Sequence, residues 1–119
     1  MEIIKLNKYG NLNNVYQLVV TEMKKGNFKR FRFECDHCIL SILTCSHFNS
    51  YELQTIEVGL FDKNEEWFKT CDDWYDNDDS IIHYLSVVGL PLLIKSFYNA
   101  DEEDIPELFQ SFKRIAYLS

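Results

Sequence analysis

Three cysteines and a histidine lie close together in the first half of the sequence and are the residues best suited to metal binding or redox chemistry. Cys35, Cys38, Cys45 and His47 are of the residue types that Zn²⁺ prefers as ligands. A Cys-x-x-Cys pair also serves thiol–disulfide exchange where a helix N-terminus lowers the pKa of a thiol. A strand that continued through this pair would point Cys35 and Cys38 to opposite faces, so joint ligation would need a tight turn at residues 36–37.

Buried structural cysteines are the interpretation that we favour for this cluster, because free cysteine is among the most buried residue types. We therefore predict no bound metal and no cofactor. A zinc-stabilised or thiol-redox domain that uses these four residues is the alternative from another functional class.

Two runs of carboxylates form a second feature. Residues 72–79 include five acidic side chains in eight positions, and residues 101–104 are four consecutive acidic residues. Neither run contains a lysine or an arginine. Such a surface accelerates association with a basic protein and imitates a phosphate backbone, whereas a merely solvated face with some helix-capping benefit is the alternative.

We predict that these carboxylates bind a basic partner, together with Glu65 and Glu66 on the exposed side of a predicted helix. Tyr75 is the predicted aromatic anchor, because tyrosine combines a large rigid area with a polar tip. The candidate partner-binding residues are Glu65, Glu66, Asp72, Asp73, Tyr75, Asp76, Asp78, Asp79, Asp101, Glu102 and Glu103.

The sequence carries no motif that is typical of catalysis. There is no Gly-x-Ser-x-Gly elbow, no Walker phosphate loop, no Gly-x-Gly-x-x-Gly and no His-Glu-x-x-His, and three histidines are scattered among the serines. With only four glycines, phosphate-cradling loops are nearly excluded. We therefore expect a binding protein rather than an enzyme.

Length and net charge further restrict the classes of function that fit the sequence. The 119 residues carry a net charge of −7, with +3 in residues 1–50 and −10 in residues 51–119. This balance argues against direct binding to nucleic acid or to an anionic membrane. No basic and apolar leader begins the sequence and no apolar run is long enough to span a bilayer. We expect a cytoplasmic protein with reduced cysteines.

The hydrophobic pattern predicts a single α+β domain over residues 1–119, an N-terminal antiparallel β-meander of about four to five strands packed against about three C-terminal helices. Strands are predicted at residues 3–6, 15–20, 31–35 and 53–60, with a hairpin turn at 24–27, while the apolar residues 39–45 fit a strand or a helix. Helices are predicted from Asp62, over residues 80–88 and from Asp104, with a break at 89–91.

Size, acidity and the missing catalytic motifs together favour a small cytoplasmic inhibitor or immunity-type protein. Such a protein neutralises a basic partner, such as a toxin nuclease, by covering its active or nucleic-acid-binding site. A phage-type anti-defence inhibitor of a nucleic-acid enzyme has the same chemistry and is retained as an alternative. A homodimer formed through an exposed apolar patch on the sheet is a further alternative.

Overall fold

The computed structural model describes residues 2–44, 55–70 and 77–118, except for the side chains of residues 77, 78, 117 and 118. The strands are β1 (Ile3–Asn7), β2 (Arg30–Glu34), β3 (Ile39–Leu43), β4 (Thr55–Phe61) and β5 (Ile81–Ser86). The helices are α1 (Lys8–Asn11), α2 (Val15–Lys24), α3 (Leu90–Phe97) and α4 (Ile105–Leu118). Short 3₁₀ turns precede β5, α3 and α4, at Asn77–Ser80, Val87–Gly89 and Glu102–Asp104.

The five strands form one sheet in the order β1-β2-β3-β4-β5. Strands β2 to β5 pair antiparallel, whereas β1 pairs parallel to β2. Parallel neighbours need a crossover connection, and α1 and α2 provide it. The predicted α+β class is confirmed, but the strands are not all N-terminal and the first two do not form a meander.

Residues 15–20 form the first part of helix α2, and the predicted strand there is wrong. Val15 and Val19 are buried one helical turn apart, and their burial outweighs the preference of β-branched residues for strands. The predicted hairpin turn at residues 24–27 is instead the end of this helix. Gly26 has a φ of 73°, its N–H donates to the Met23 carbonyl, and the Asn27 N–H donates to the Glu22 carbonyl. These two bonds form a Schellman motif.

Residues 81–86 form strand β5, so the predicted helix over residues 80–88 is wrong. Ile56 pairs with Leu85 and Val58 pairs with Ile82, so three steps along β5 match two steps along β4. This β-bulge places both Ile82 and Leu85 in the core at a spacing of three residues. A spacing of three is also the spacing of a helix face, which explains the incorrect prediction.

The predicted helix from Asp62 does not form over residues 63–70, and its remainder lies outside the described residues. The Asp62 carboxylate accepts the N–H groups of Asn64 and Glu66, as a capping residue would. Glu65 then adopts a φ of 65°, the left-handed region, and this reverses the chain. Trp67 consequently returns to pair with Phe61.

Helices α3 and α4 begin at or next to the positions that the sequence indicates, which are the break at residues 89–91 and Asp104. Pro91 lies in the first turn of α3, and α4 begins at Ile105 directly after the acidic segment. Phe109 and Phe112 of α4 contact Phe97 of α3 in the core. Within the described ranges, no helix has the length and apolar character needed to cross a membrane.

One face of the sheet, covered by residues of α2, α3 and α4, contains the hydrophobic core. In β2 the predicted alternation is confirmed, because Phe31 and Phe33 are buried on this face while Arg30 and Arg32 are partly exposed on the other. Residues 39–43 are the strand β3, which resolves the open assignment there.

Candidate functional site at the acidic end of the sheet

Several chain segments meet at the end of the sheet where β2 turns into β3. The Asp36 N–H in this turn donates to the carbonyl of Tyr98, at the end of α3, over 3.0 Å. The ammonium group of Lys63, in the loop after β4, donates to the carbonyl of neighbouring Cys35 over 2.9 Å. Asp101 follows Tyr98 by three residues, which reach about 10 Å at most. The acidic segment before α4 and the loop after β4 therefore approach the same turn.

Three carboxylates at this end are neutralised locally. Asp36 pairs with Lys8 at 2.7 Å, Glu34 with Lys63 at 2.8 Å, and Glu65 with Arg32 at 2.7 Å. The hydrogen bond from Lys8 lowers the pKa of the Asp36 carboxyl below its usual range, and the same bond raises the pKa of Lys8. The hydrogen bond from Lys63 likewise lowers the pKa of Glu34.

Other carboxylates at this end have no ion pair with any residue in the described part of the chain. They are Asp62, Glu66, Asp101, Glu102, Glu103 and Asp104, and we call this set the acidic end. All except Asp62 are exposed, and Asp62 is partly exposed. The last four lie immediately before and within the 3₁₀ turn that leads into α4, where negative charge also stabilises the helix N-terminus.

The predicted partner-binding residues separate into three groups. Glu66, Asp101, Glu102 and Glu103 belong to the acidic end, and Glu65 lies beside it but pairs with Arg32. Asp79 is partly exposed in the 3₁₀ turn before β5, at the same end of the sheet, where its carbonyl accepts the Thr70 hydroxyl. The remaining predicted residues are Asp72, Asp73, Tyr75, Asp76 and Asp78. The first four lie outside the described residues, and the side chain of Asp78 is not described.

Cys35 and Cys38 are brought together by a tight turn at residues 36–37, so the strand does not continue through the pair. Both are free and buried, and Cys35 donates its N–H to the Cys38 carbonyl at 2.9 Å. Among the described residues, no three Cys, His, Asp or Glu side chains are grouped to hold a metal ion. Cys45 and His47, the other two proposed ligands, lie outside the described residues.

The open face of the sheet carries a groove of about 510 Å³ with mixed chemistry. Arg30 donates to the Ser41 hydroxyl at 2.7 Å, and the Arg32–Glu65 ion pair lines the same groove. The rings of Phe61 and Trp67 stack with centroids 4.3 Å apart above the sheet. The positive charges of the two arginines in this groove are balanced by the negative charges of Glu57 and Glu65. The groove therefore has no net charge to attract an ionic ligand.

Sequence reasoning missed the contacts that bring the acidic segments to one end, because they join residues far apart in the chain. The Lys8–Asp36 pair and the Asp36–Tyr98 hydrogen bond span 28 and 62 positions. The local sequence around Lys8 and Lys63 gives no indication of these partners. Comparisons with protein-family models, with curated proteins and with solved structures found no match.

Proposed function

We propose that this protein is a small inhibitor of the immunity type, which uses the acidic end to bind a basic protein such as a toxin nuclease and covers its active or nucleic-acid-binding site. The observation that carries the proposal is that two acidic segments far apart in the sequence, 62–66 and 101–104, both approach the β2–β3 turn at one end of the sheet. A concentrated negative field of this kind steers a basic partner and competes with a phosphate backbone.

Rigid positioning supports the proposal. The acidic segment 101–104 lies between α3 and α4, whose core residues Phe97 and Phe109 are both fully buried. The turn at Asp36 is tied to the end of α3 and to α1. A preorganised surface loses little conformational entropy on binding, which leaves more of the interaction free energy for affinity.

A phage-type anti-defence inhibitor uses the same chemistry, and the identity of the partner separates the two roles. Either role places the protein where its target handles nucleic acid, so we propose a cytoplasmic location. Binding rather than catalysis is the proposed activity, and the basic protein is the proposed partner.

The test is capture of proteins from a native lysate of the source organism on the immobilised chain, followed by assay of the captured protein. We expect a basic protein whose capture weakens as NaCl rises from about 50 to about 300 mM, because salt screens exposed charges. We also expect that its nuclease activity falls when the soluble chain is added. Capture that is insensitive to salt, or a captured protein whose activity is unchanged, would contradict the proposal.

A pair of variants with equal net charge sharpens this test. The acidic-end variant carries Asp101→Asn, Glu102→Gln and Glu103→Gln, and the control carries Gln17→Lys, Thr21→Lys and Val88→Lys. The three control positions are exposed and lie on α2 or before α3. Both variants raise the net charge of −7 by three, so only the position of the charge differs. Capture lost in the first variant and kept in the second supports the acidic end as the interface.

A further inference from the structure

The β2–β3 turn holds two reduced cysteines that the proposed function does not use. Glu34 pairs with Ile39 in the last step of the strand ladder, so Cys35 and Cys38 are opposed across the turn. Opposed residues of antiparallel strands have Cα atoms about 4.5 to 5.5 Å apart, and a disulfide needs about 4.4 to 6.8 Å. The backbone spacing therefore already suits a disulfide.

Both thiols are shielded while the turn is closed. The side chains of Cys35 and Cys38 are 2% and 0% exposed and form part of the core. The contact with the Cys38 thiol, followed by burial, raises the pKa of the Cys35 thiol far above its usual range. Because the thiolate is the reactive form, the closed turn keeps the pair inert.

Three contacts from different elements keep the turn closed. Lys8 pairs with Asp36 at 2.7 Å, the Asp36 N–H donates to the Tyr98 carbonyl at 3.0 Å, and Lys63 donates to the Cys35 carbonyl at 2.9 Å. Each contact involves the turn itself rather than the strands. Weakening one of them therefore favours local opening of the turn without unfolding the sheet.

We propose that Cys35 and Cys38 form a gated dithiol, an oxidation site that a low-molecular-weight disulfide such as glutathione disulfide converts to an intramolecular disulfide when the turn opens. Lys8 and Lys63 line a polar groove of about 270 Å³, where both are paired with carboxylates. Cys35 lines the same groove, whereas Cys38 does not. Cys35 is therefore the residue that reacts first, and Cys38 resolves the intermediate.

The reaction is a two-step exchange. The Cys35 thiolate attacks one sulfur of glutathione disulfide, which forms a mixed disulfide and releases one glutathione thiolate. The Cys38 thiolate then attacks the Cys35 sulfur and displaces the second glutathione thiolate. The protons of the two protein thiols pass through the solvent to the two released glutathione thiolates, the protein loses two electrons, and glutathione disulfide is reduced to two thiols.

The site is tested by mass spectrometry in a Cys45→Ser/Cys71→Ser background, treated with millimolar glutathione disulfide and quenched by alkylation. We expect loss of two hydrogens in this background and one trapped glutathionyl group after the further change Cys38→Ser. A stable glutathionyl group without closure in the parent background, or faster reaction at Cys38 than at Cys35, would overturn the proposal.

Peptide mapping of the wild-type chain gives the same test with all four cysteines in place, should the background substitutions impair folding. A Cys35–Cys38 linkage as the first product supports the proposal. A first linkage of either residue to Cys45 or Cys71 contradicts it.

The gate is tested by the rate of this oxidation. Lys8→Met removes one contact of the turn and should raise the rate about three- to fivefold, in proportion to the population of the open turn. Arg114→Met is the matched control, because it breaks an ion pair with Glu107 on α4 that does not touch the turn. Equal rates in the two variants would show that the Lys8–Asp36 pair does not gate the dithiol.

Discussion

Gly26 and Gly10 differ in backbone conformation but not in the space around them. An added Cβ would meet no atom within 4 Å at either position, yet only Gly26 has a positive φ, of 73°. We predict that Gly26→Ala lowers the free energy of unfolding by about 1 kcal/mol, because a left-handed conformation is costly for alanine. Gly10→Ala should be neutral or stabilising by less than about 1 kcal/mol.

Urea unfolding of the two alanine variants measures this difference. Equal effects at the two positions would mean that the Schellman motif does not hold Gly26 in the left-handed region in solution.

Gly59 lets the Trp67 ring lie against the sheet. A Cβ added at this position would come 3.4 Å from the Trp67 ring and 3.5 Å from the Phe61 ring. We predict that Gly59→Val lowers the free energy of unfolding by about 1 to 3 kcal/mol and shifts the tryptophan emission, because its methyl groups displace the Trp67 ring. Gly59→Ala, which adds only the Cβ, should have the smaller effect. A stabilising valine, as expected from strand propensity alone, would contradict this packing.

At the scale of secondary-structure elements, strand β5 gives a direct test of the fold. Leu85 is buried, whereas Val88 is 74% exposed just beyond the strand. We predict that Leu85→Ala costs about 2 to 5 kcal/mol of stability and that Val88→Asp changes it by less than about 0.5 kcal/mol. A large loss on Val88→Asp would favour the helix over residues 80–88 that the sequence indicates.

The β2–β3 turn should make stability depend on pH through its ion pair. Folding lowers the pKa of Asp36, so its contribution is complete above the unfolded value of about 3.9 and is lost as pH falls through the folded value. Folding raises the pKa of Lys8, so that contribution is complete below about 10.4 and is lost as pH rises through the folded value.

We therefore predict that the stability difference between the wild type and Lys8→Met is constant from about pH 5 to about pH 9 and shrinks at both extremes. Urea unfolding across this range measures it. A difference that does not shrink as pH falls below the unfolded value of about 3.9 would show that the ion pair is not its source.

Elements with a single clear hydrophobic period are the parts of the fold that the sequence predicts. Helix α4 and strand β2 were predicted because their apolar residues follow one clear period, with Phe109 and Phe112 on one helix face and Phe31 and Phe33 on one strand face. The sequence does not predict strand β5, because the β-bulge spaces its buried residues three positions apart, as on a helix face. The sequence does not predict the crossover helix α2, because its valines have a high strand propensity. Tertiary packing of these valines outweighs that propensity.

At the scale of the whole molecule, the charge of −7 is distributed unevenly. The sequence predicts the acidic character of residues 101–104 directly, but their placement at the same end of the sheet as the loop 62–66 depends on the contacts of the Asp36 turn. The sequence also does not predict that Glu65 is neutralised by Arg32, because a left-handed residue turns the chain back over the sheet. Long-range contacts of this kind have no local pattern to reveal them.

The most direct test of the account compares the affinity of the captured basic protein for the wild type, the acidic-end variant and the variant with equal net charge. If the interface is the acidic end, neutralising Asp101, Glu102 and Glu103 should weaken binding about tenfold at about 50 mM salt, mainly through a slower association rate. The control with added lysines elsewhere should bind within about twofold of the wild type. Equal weakening in the two variants, with thermal unfolding unchanged, would contradict a localised acidic interface.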